Sequence, residues 1–146
     1  MRHPPGLIVV EMIRGRIGPY GTLPTDSGEW PLFYTHQPDS PDDSLCLYDT
    51  AGEVQGRLAS GEHQEQYGVQ IRIRSASHAD GWRKADEMRA MLEVIHRETV
   101  LVEDCTYMVD VMTQQSPILS LGQETDTAKR RFLFTINYLV WISQTD

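Results

Sequence analysis

Tyr67, Val69, Ile71 and Ile73 alternate with Gly68, Gln70, Arg72 and Arg74, the period-two pattern of a strand that buries one face. A longer alternation runs through Phe132, Phe134, Ile136, Tyr138, Val140 and Ile142. Its other face sets Leu133, Leu139 and Trp141 among Thr135, Asn137 and Ser143. Both faces of this last strand therefore call for cover, and one cover can come from a second subunit. Between the two strands the period changes. Trp82, Ala85, Met88, Leu92 and Ile95 recur every three or four residues as one apolar helical stripe, with Arg83, Lys84, Asp86, Glu87, Arg89 and Glu93 mostly on the outer faces. Ser77-His78-Ala79-Asp80 precedes that stripe as a weak capping box, with Asp in place of the better Glu.

The remaining segments are less regular. Leu7, Val10, Ile13 and Ile17 fit one helical face over residues 7–18, between Pro4-Pro5-Gly6 and Gly18-Pro19; a strand led by Ile8, Val9 and Val10 is the alternative. Short strands are predicted at Trp30 to His36 and at Ser44 to Thr50, the latter ended by Gly52. Cys105 to Thr113 and Ser116 to Leu121 read as two strands joined at Gln114-Gln115, with Pro117 marking an edge or a bulge and Gly122 ending the pair. The stretch 53–66 is rich in Gly, Gln and Glu without a hydrophobic period, so it reads as a flexible loop or an arm that orders against a neighbour. The elements neither repeat nor alternate as βαβ units. They predict one α+β domain over 1–146, a mostly antiparallel sheet covered by one main helix and a shorter N-terminal helix.

Charge and composition narrow the function. The chain carries 21 carboxylates against 13 Lys and Arg, net −8, which argues against gripping nucleic acid through its phosphates. Nine of those carboxylates and a single basic residue, Arg57, fall within residues 25–66. The apolar run Leu7 to Ile13 is interrupted by Glu11 and followed by Arg14 and Arg16, too short to span a bilayer and wrongly charged for a signal peptide; a soluble protein that stays in the cell making it is expected. Cys46 and Cys105 sit in apolar, strand-like runs and read as small buried hydrophobes. His3, His36, His63, His78 and His96 have no metal-ligand spacing, and Asp39, Asp42 and Asp43 lack the turn glycine and distal Glu of a calcium loop. Gly15, Gly18 and Gly21 lie next to Pro19 and Pro24, which suits a bend and not a phosphate cradle. Lys129-Arg130-Arg131 reads as a solvated strand end or a salt-bridging patch. No catalytic, cofactor or metal site follows from these residues.

The order of several short motifs resembles the tail terminator family of long-tailed bacteriophages and related prophage or gene-transfer particles. An acidic Pro-Asp turn, Pro38-Asp39-Ser40-Pro41-Asp42, leads into Leu47-Tyr48-Asp49-Thr50-Ala51-Gly52. The strand Val69-Gln70-Ile71-Arg72-Ile73-Arg74-Ser75 follows, then a helix, a Pro-containing strand before Gly122, and a basic-to-aromatic last strand ending Asn137-Tyr138-Leu139-Val140. The resemblance spans about residues 30–142.

That resemblance implies a structural virion protein, not an enzyme. Such a protein forms a ring, a homohexamer, that caps the tail tube, ends tail polymerisation and joins the tail to the head connector. The implied partners are further copies of itself, the major tail tube protein and a head–tail connector or stopper protein, with DNA only in transit and no membrane. The implied place is the head–tail junction of the virion after assembly in the host cytoplasm. On this reading Leu133, Leu139 and Trp141 are candidate subunit-interface residues. Asp39, Asp42, Asp43, Glu62 and Glu65 are candidates for a lumen or tube-facing acidic surface, where carboxylates repel passing phosphates. Two alternatives stay open: another neck or head-completion connector protein, and a small hydrolase using carboxylates such as Asp104 and Asp110.

Overall fold

The computed structural model describes residues 1–17, 30–57, 63–124 and 130–145. In chain order the elements are α1 (Pro5–Ile17), β1 (Leu32–Tyr34), β2 (Ser44–Arg57), β3 (His63–Ser75), α2 (His78–Glu93), β4 (Glu98–Val102), β5 (Cys105–Gln114), β6 (Leu119–Gln123) and β7 (Phe132–Gln144). The sheet order is β1-β2-β3-β7-β5-β4, with β6 also on β7. Every pairing is antiparallel except β1 with β2. The expected α+β domain with a largely antiparallel sheet is what the chain forms.

The alternation in β3 and β7 decides the layers. Register sets Ile73 beside Phe134, Ile71 beside Ile136 and Val69 beside Tyr138, so both buried stripes share one face of the sheet. Leu45 and Leu47 of β2, Tyr107 and Val109 of β5, and Val100 and Val102 of β4 join them in one core that also takes in both helices. α2 lies on β3, β7 and β5, while α1 touches β4 at one edge of the sheet and β1 and β2 at the other. Six strands laid flat would hold those edges about 24 Å apart at the usual spacing, roughly twice the diameter of a helix. The sheet therefore curls around α1. Ile8, Val9, Val10, Met12 and Ile13 are all buried as a result, a wider stripe than the spacing of three and four predicted. The N-terminus of α1 is finished by tertiary structure: Gly6 N–H donates to Asp49 Oδ1 of β2 at 2.7 Å.

α2 starts where the sequence places it, with Ser77 Oγ accepting from Asp80 N–H. Its buried stripe differs by one residue at each of two places. Gly81, not Trp82, meets the sheet, because a Cβ at Gly81 would stand 2.5 Å from the Phe134 ring. Trp82 stays 46% exposed and meets Phe134 only edge-on. Lys84, expected outside, is buried beneath the Trp30 ring, its Nζ 5.0 Å from the ring centroid.

Three strand expectations change. β2 does not stop at Gly52; it passes through a bulge between Thr50 and Glu53 and continues to Arg57, where a Cβ at Gly52 would collide with the Gln66 carbonyl of β3. Residues 53–57 and 63–66, expected as loop, thereby become the two paired ends of a β2–β3 hairpin, and 58–62 lie outside the described residues. β5 and β6 do not pair with each other. Both run antiparallel along the same side of β7, from Tyr107 opposite Gln144 to Gln123 opposite Phe132, so they form one long strand interrupted near Pro117. From Gln114 to Leu119 the chain takes five steps while β7 takes three, and Gln115 N–H bridges the break to the Asn137 carbonyl at 2.9 Å. Proline, with no N–H to give, explains the gap. β4 is an additional strand, covering the outer edge of β5.

Candidate functional site

The face of the sheet turned away from the helices is where the sequence placed an interface. On β7 it carries Leu133, Thr135, Asn137, Leu139 and Trp141. On β3 Arg74, Arg72, Gln70 and Gly68 lie beside the first four of these, and on β5 Thr113 and Val111 lie beside Leu139 and Trp141. The two ends of this face are finished differently.

At the end that holds Leu139 and Trp141 nothing within the described residues covers the sheet. Leu139 and Trp141 are half-buried. Val111 beside them is 39% exposed, and Leu119 and Leu121 of the fully exposed β6 are 44% and 56% exposed. Leu133 stands at the start of β7, half-buried between Arg74 and Gly122 in the register. The fold thus brings Leu139 and Trp141 together with Val111, which the sequence alone did not single out. In the sequence Val111 simply continues the apolar alternation of Cys105, Tyr107 and Val109, and the irregularity between Val109 and Val111 is what turns it to the outer face beside Trp141.

At the other end the acidic turn folds back over the sheet. Arg74, 4% exposed, donates from Nε to the Asp42 carbonyl at 3.1 Å and from Nη2 to the carbonyls of Pro41, at 2.7 Å, and Pro38. Arg131, 3% exposed, donates to Glu124 from Nε at 2.8 Å and from Nη2 at 2.6 Å. Its Nη1 reaches the Asp39 carbonyl at 2.7 Å and the Asp39 carboxylate at 3.1 Å. Asp42 lies 3.6 Å from the same Nη1, and Asp43 accepts from Ser75 Oγ at 2.9 Å and Ala76 N–H at 3.0 Å. Burial, and after it the charge of Arg131, push the Arg74 guanidinium below its ordinary value. Asp39, Asp42 and Asp43 therefore hold the turn to the sheet, although the Asp39 side chain remains 70% exposed. Glu65 lies in β3, and Glu62 and Lys129 lie outside the described residues. Of the two described residues of the basic triplet at the start of β7, Arg131 pairs and Arg130 is exposed.

Beside this clamp lies a cleft of about 370 Å³ lined by Gln37, Tyr48, Arg72, Arg74, Glu124 and Arg131 among others. Cys46, also on this face, is a free and fully buried thiol whose pKa is pushed up by burial; Cys105 is free and buried on the helix side. Asp104 is 73% exposed in the β4–β5 turn with Arg2 at 3.4 Å, and Asp110 sits in the irregular part of β5, so the two carboxylates do not share a cleft. Among the described residues no three His, Cys, Asp or Glu side chains are placed to hold a metal ion, and no helix is long and apolar enough to cross a membrane.

A family model described as "Bacteriophage tail terminator protein" matches residues 18–142. No curated protein matches the chain. Among solved structures, a chain of the "Virion of native gene transfer agent (GTA) particle" superposes with a TM-score of 0.47 at 10% identity, covering 90% of this chain and 84% of that chain.

Proposed function

This chain belongs to the bacteriophage tail terminator family, and from that membership we propose that it forms a homohexameric ring on the end of the tail tube. There it ends tube polymerisation and joins the tail to the head connector. The observation that carries the ring is the uncovered end of the outer sheet face. The core is already completed by two helices on the inner face, yet Leu139, Trp141 and Val111 remain as an adjoining apolar patch on the other side. Burying such a patch against another copy supplies roughly 25 cal/mol per Å² of apolar surface, which monomer folding leaves unused. The net charge of −8 supports DNA passing through and not being held. The protein acts by shape and contact, without chemistry of its own.

The test is assembly on the tube. Purified chain mixed with the major tail tube protein should cap tubes and limit their length, with several copies per tube end by native mass measurement. Leu139→Asp should abolish capping while leaving the circular dichroism of the free chain intact. One copy per tube end, or no capping under any salt condition, refutes the ring. If Leu139→Asp unfolds the chain, this end of the sheet belongs to the fold of a single subunit.

A further inference from the structure

On the side away from β7, β5 is covered over only part of its length. β4 pairs with it from Val102 opposite Cys105 to Glu98 opposite Val109, and the Arg97 N–H adds a last bond to the Asp110 carbonyl at 3.0 Å. Beyond that point no strand of the described residues lies along it. The Gln115 N–H bonds the Asn137 carbonyl of β7, so strand alternation turns the peptide groups of Thr113 toward β7 as well and those of Met112 and Gln114 toward the open side. An open edge is a template for another strand, and sheets block such edges with charged side chains. This edge carries no such block: residues 111–123 contain no Asp, Glu, Lys or Arg.

The open side borders a cleft of about 250 Å³ beside the C-terminal half of α2, lined by Arg89, Glu93, Met112, Thr113, Gln114 and Tyr138. Tyr138, 1% exposed, brings to it a buried hydroxyl with no hydrogen-bond partner. The charges in the cleft answer one another, with Arg89 Nη1 3.1 Å from Glu93 Oε2. The cleft therefore offers a backbone edge and a phenol, and what suits both is an extended strand that carries an uncharged hydrogen-bonding side chain.

We propose that a strand of a second copy of this chain pairs with β5 at Met112 and Gln114 and hydrogen-bonds Tyr138 through an uncharged side chain. This rests on the ring reading and supplies its backbone contact. Continuity with the apolar patch chooses the occupant. Val111 and Thr113, on either side of Met112, are the register partners of Trp141 and Leu139, so a subunit that covers the patch reaches the same edge.

Amide exchange, read residue by residue in the free chain and in chain assembled on tail tubes, tests the pairing. Met112 and Gln114 should slow at least about tenfold on assembly, whereas Thr113 and Gln115, already bonded to β7, should be slow in both states. To identify the occupant, a small fraction of isotopically heavy subunits with photoreactive p-benzoylphenylalanine in place of Thr113 is assembled with light, unaltered chain and irradiated. Cross-links from heavy to light subunits are expected. Tyr138→Phe should melt no lower than the parent, since it loses no bond within the subunit, yet require roughly tenfold more chain for capping. Unchanged exchange at Met112 and Gln114 in capped tubes, cross-links from position 113 only to the tube protein, or a Tyr138→Phe chain that melts lower or caps as well as the parent overturns the proposal and leaves the ring intact. Failure of the unaltered chain to assemble takes down both.

Discussion

Replacing Arg131 with methionine tests the clamp that shapes the outer face. The substitution keeps a long apolar stem and removes the donors that Glu124 receives at 2.8 and 2.6 Å and the Asp39 carbonyl at 2.7 Å. Glu124, with its side chain 14% exposed, then keeps a largely desolvated charge without that partner. Removing one side of a buried pair costs about 3–5 kcal/mol. Asp39 is open to water and can recover hydration, which lowers the expectation to about 2–4 kcal/mol, a fall in melting temperature of roughly 4–16 °C for a domain of this size. Urea unfolding of Arg131→Met, Glu124→Gln and the double variant gives the coupling directly. The double variant should cost at least about 1 kcal/mol less than the sum of the singles, and amide exchange should accelerate at residues 39–43, where the turn leaves the sheet. A cost below about 1 kcal/mol with an additive cycle would refute the clamp and return Arg131 to the role of a solvated strand end.

Lys84 predicts a pH dependence. Burial pushes its ammonium down to about 8, so between there and its ordinary value of 10.5 the unfolded chain holds a proton that the folded chain has released. Stability relative to Lys84→Met should therefore rise with pH from about 8 to 9.5, by up to about 1.4 kcal/mol per unit, a difference in which the opposite contribution of the buried Cys46 thiol, raised from its ordinary value, cancels. Tyr138, raised by burial to about 12, has the opposite sign and takes stability away once pH passes its ordinary value near 10, so the measurement belongs below that. Gly6→Ala should destabilise by about 1–3 kcal/mol in thermal melts, since its Cβ would stand 2.6 Å from Tyr34 Cε1 and 2.8 Å from the Asp49 oxygen that caps α1; a neutral result would mean that the helix start shifts freely. Asp43→Lys, which an acidic lining would tolerate, should instead cost stability through the lost bonds to Ser75 and Ala76, read in the same melts.

Wherever a local period carried the signal, the sequence alone determined the structure. β3, β7 and α2 lie where alternation and the three-and-four spacing put them, and Ser77 caps α2, because each of these patterns concerns which side of one segment meets apolar surroundings. The two sides of β7 were legible for the same reason. What only tertiary structure decided is which distant groups answer those sides. β4 offered just five residues, too few for a period, although Thr99, Val100 and Val102 carried a β-branched signal. Gly52 read as a stop because nothing local shows that the Gln66 carbonyl approaches it across the hairpin. The acidic turn read as a rigid acidic surface, and its clamping to the sheet was not legible, because its cations, Arg74 and Arg131, are supplied from 32 and 92 residues away in the chain. Asp49, one more carboxylate by composition, is the cap of a helix 43 residues earlier. Period is a property of neighbours in the chain, whereas charge compensation depends on which neighbours folding brings together in space, and that is why the strands could be read and the clamp could not.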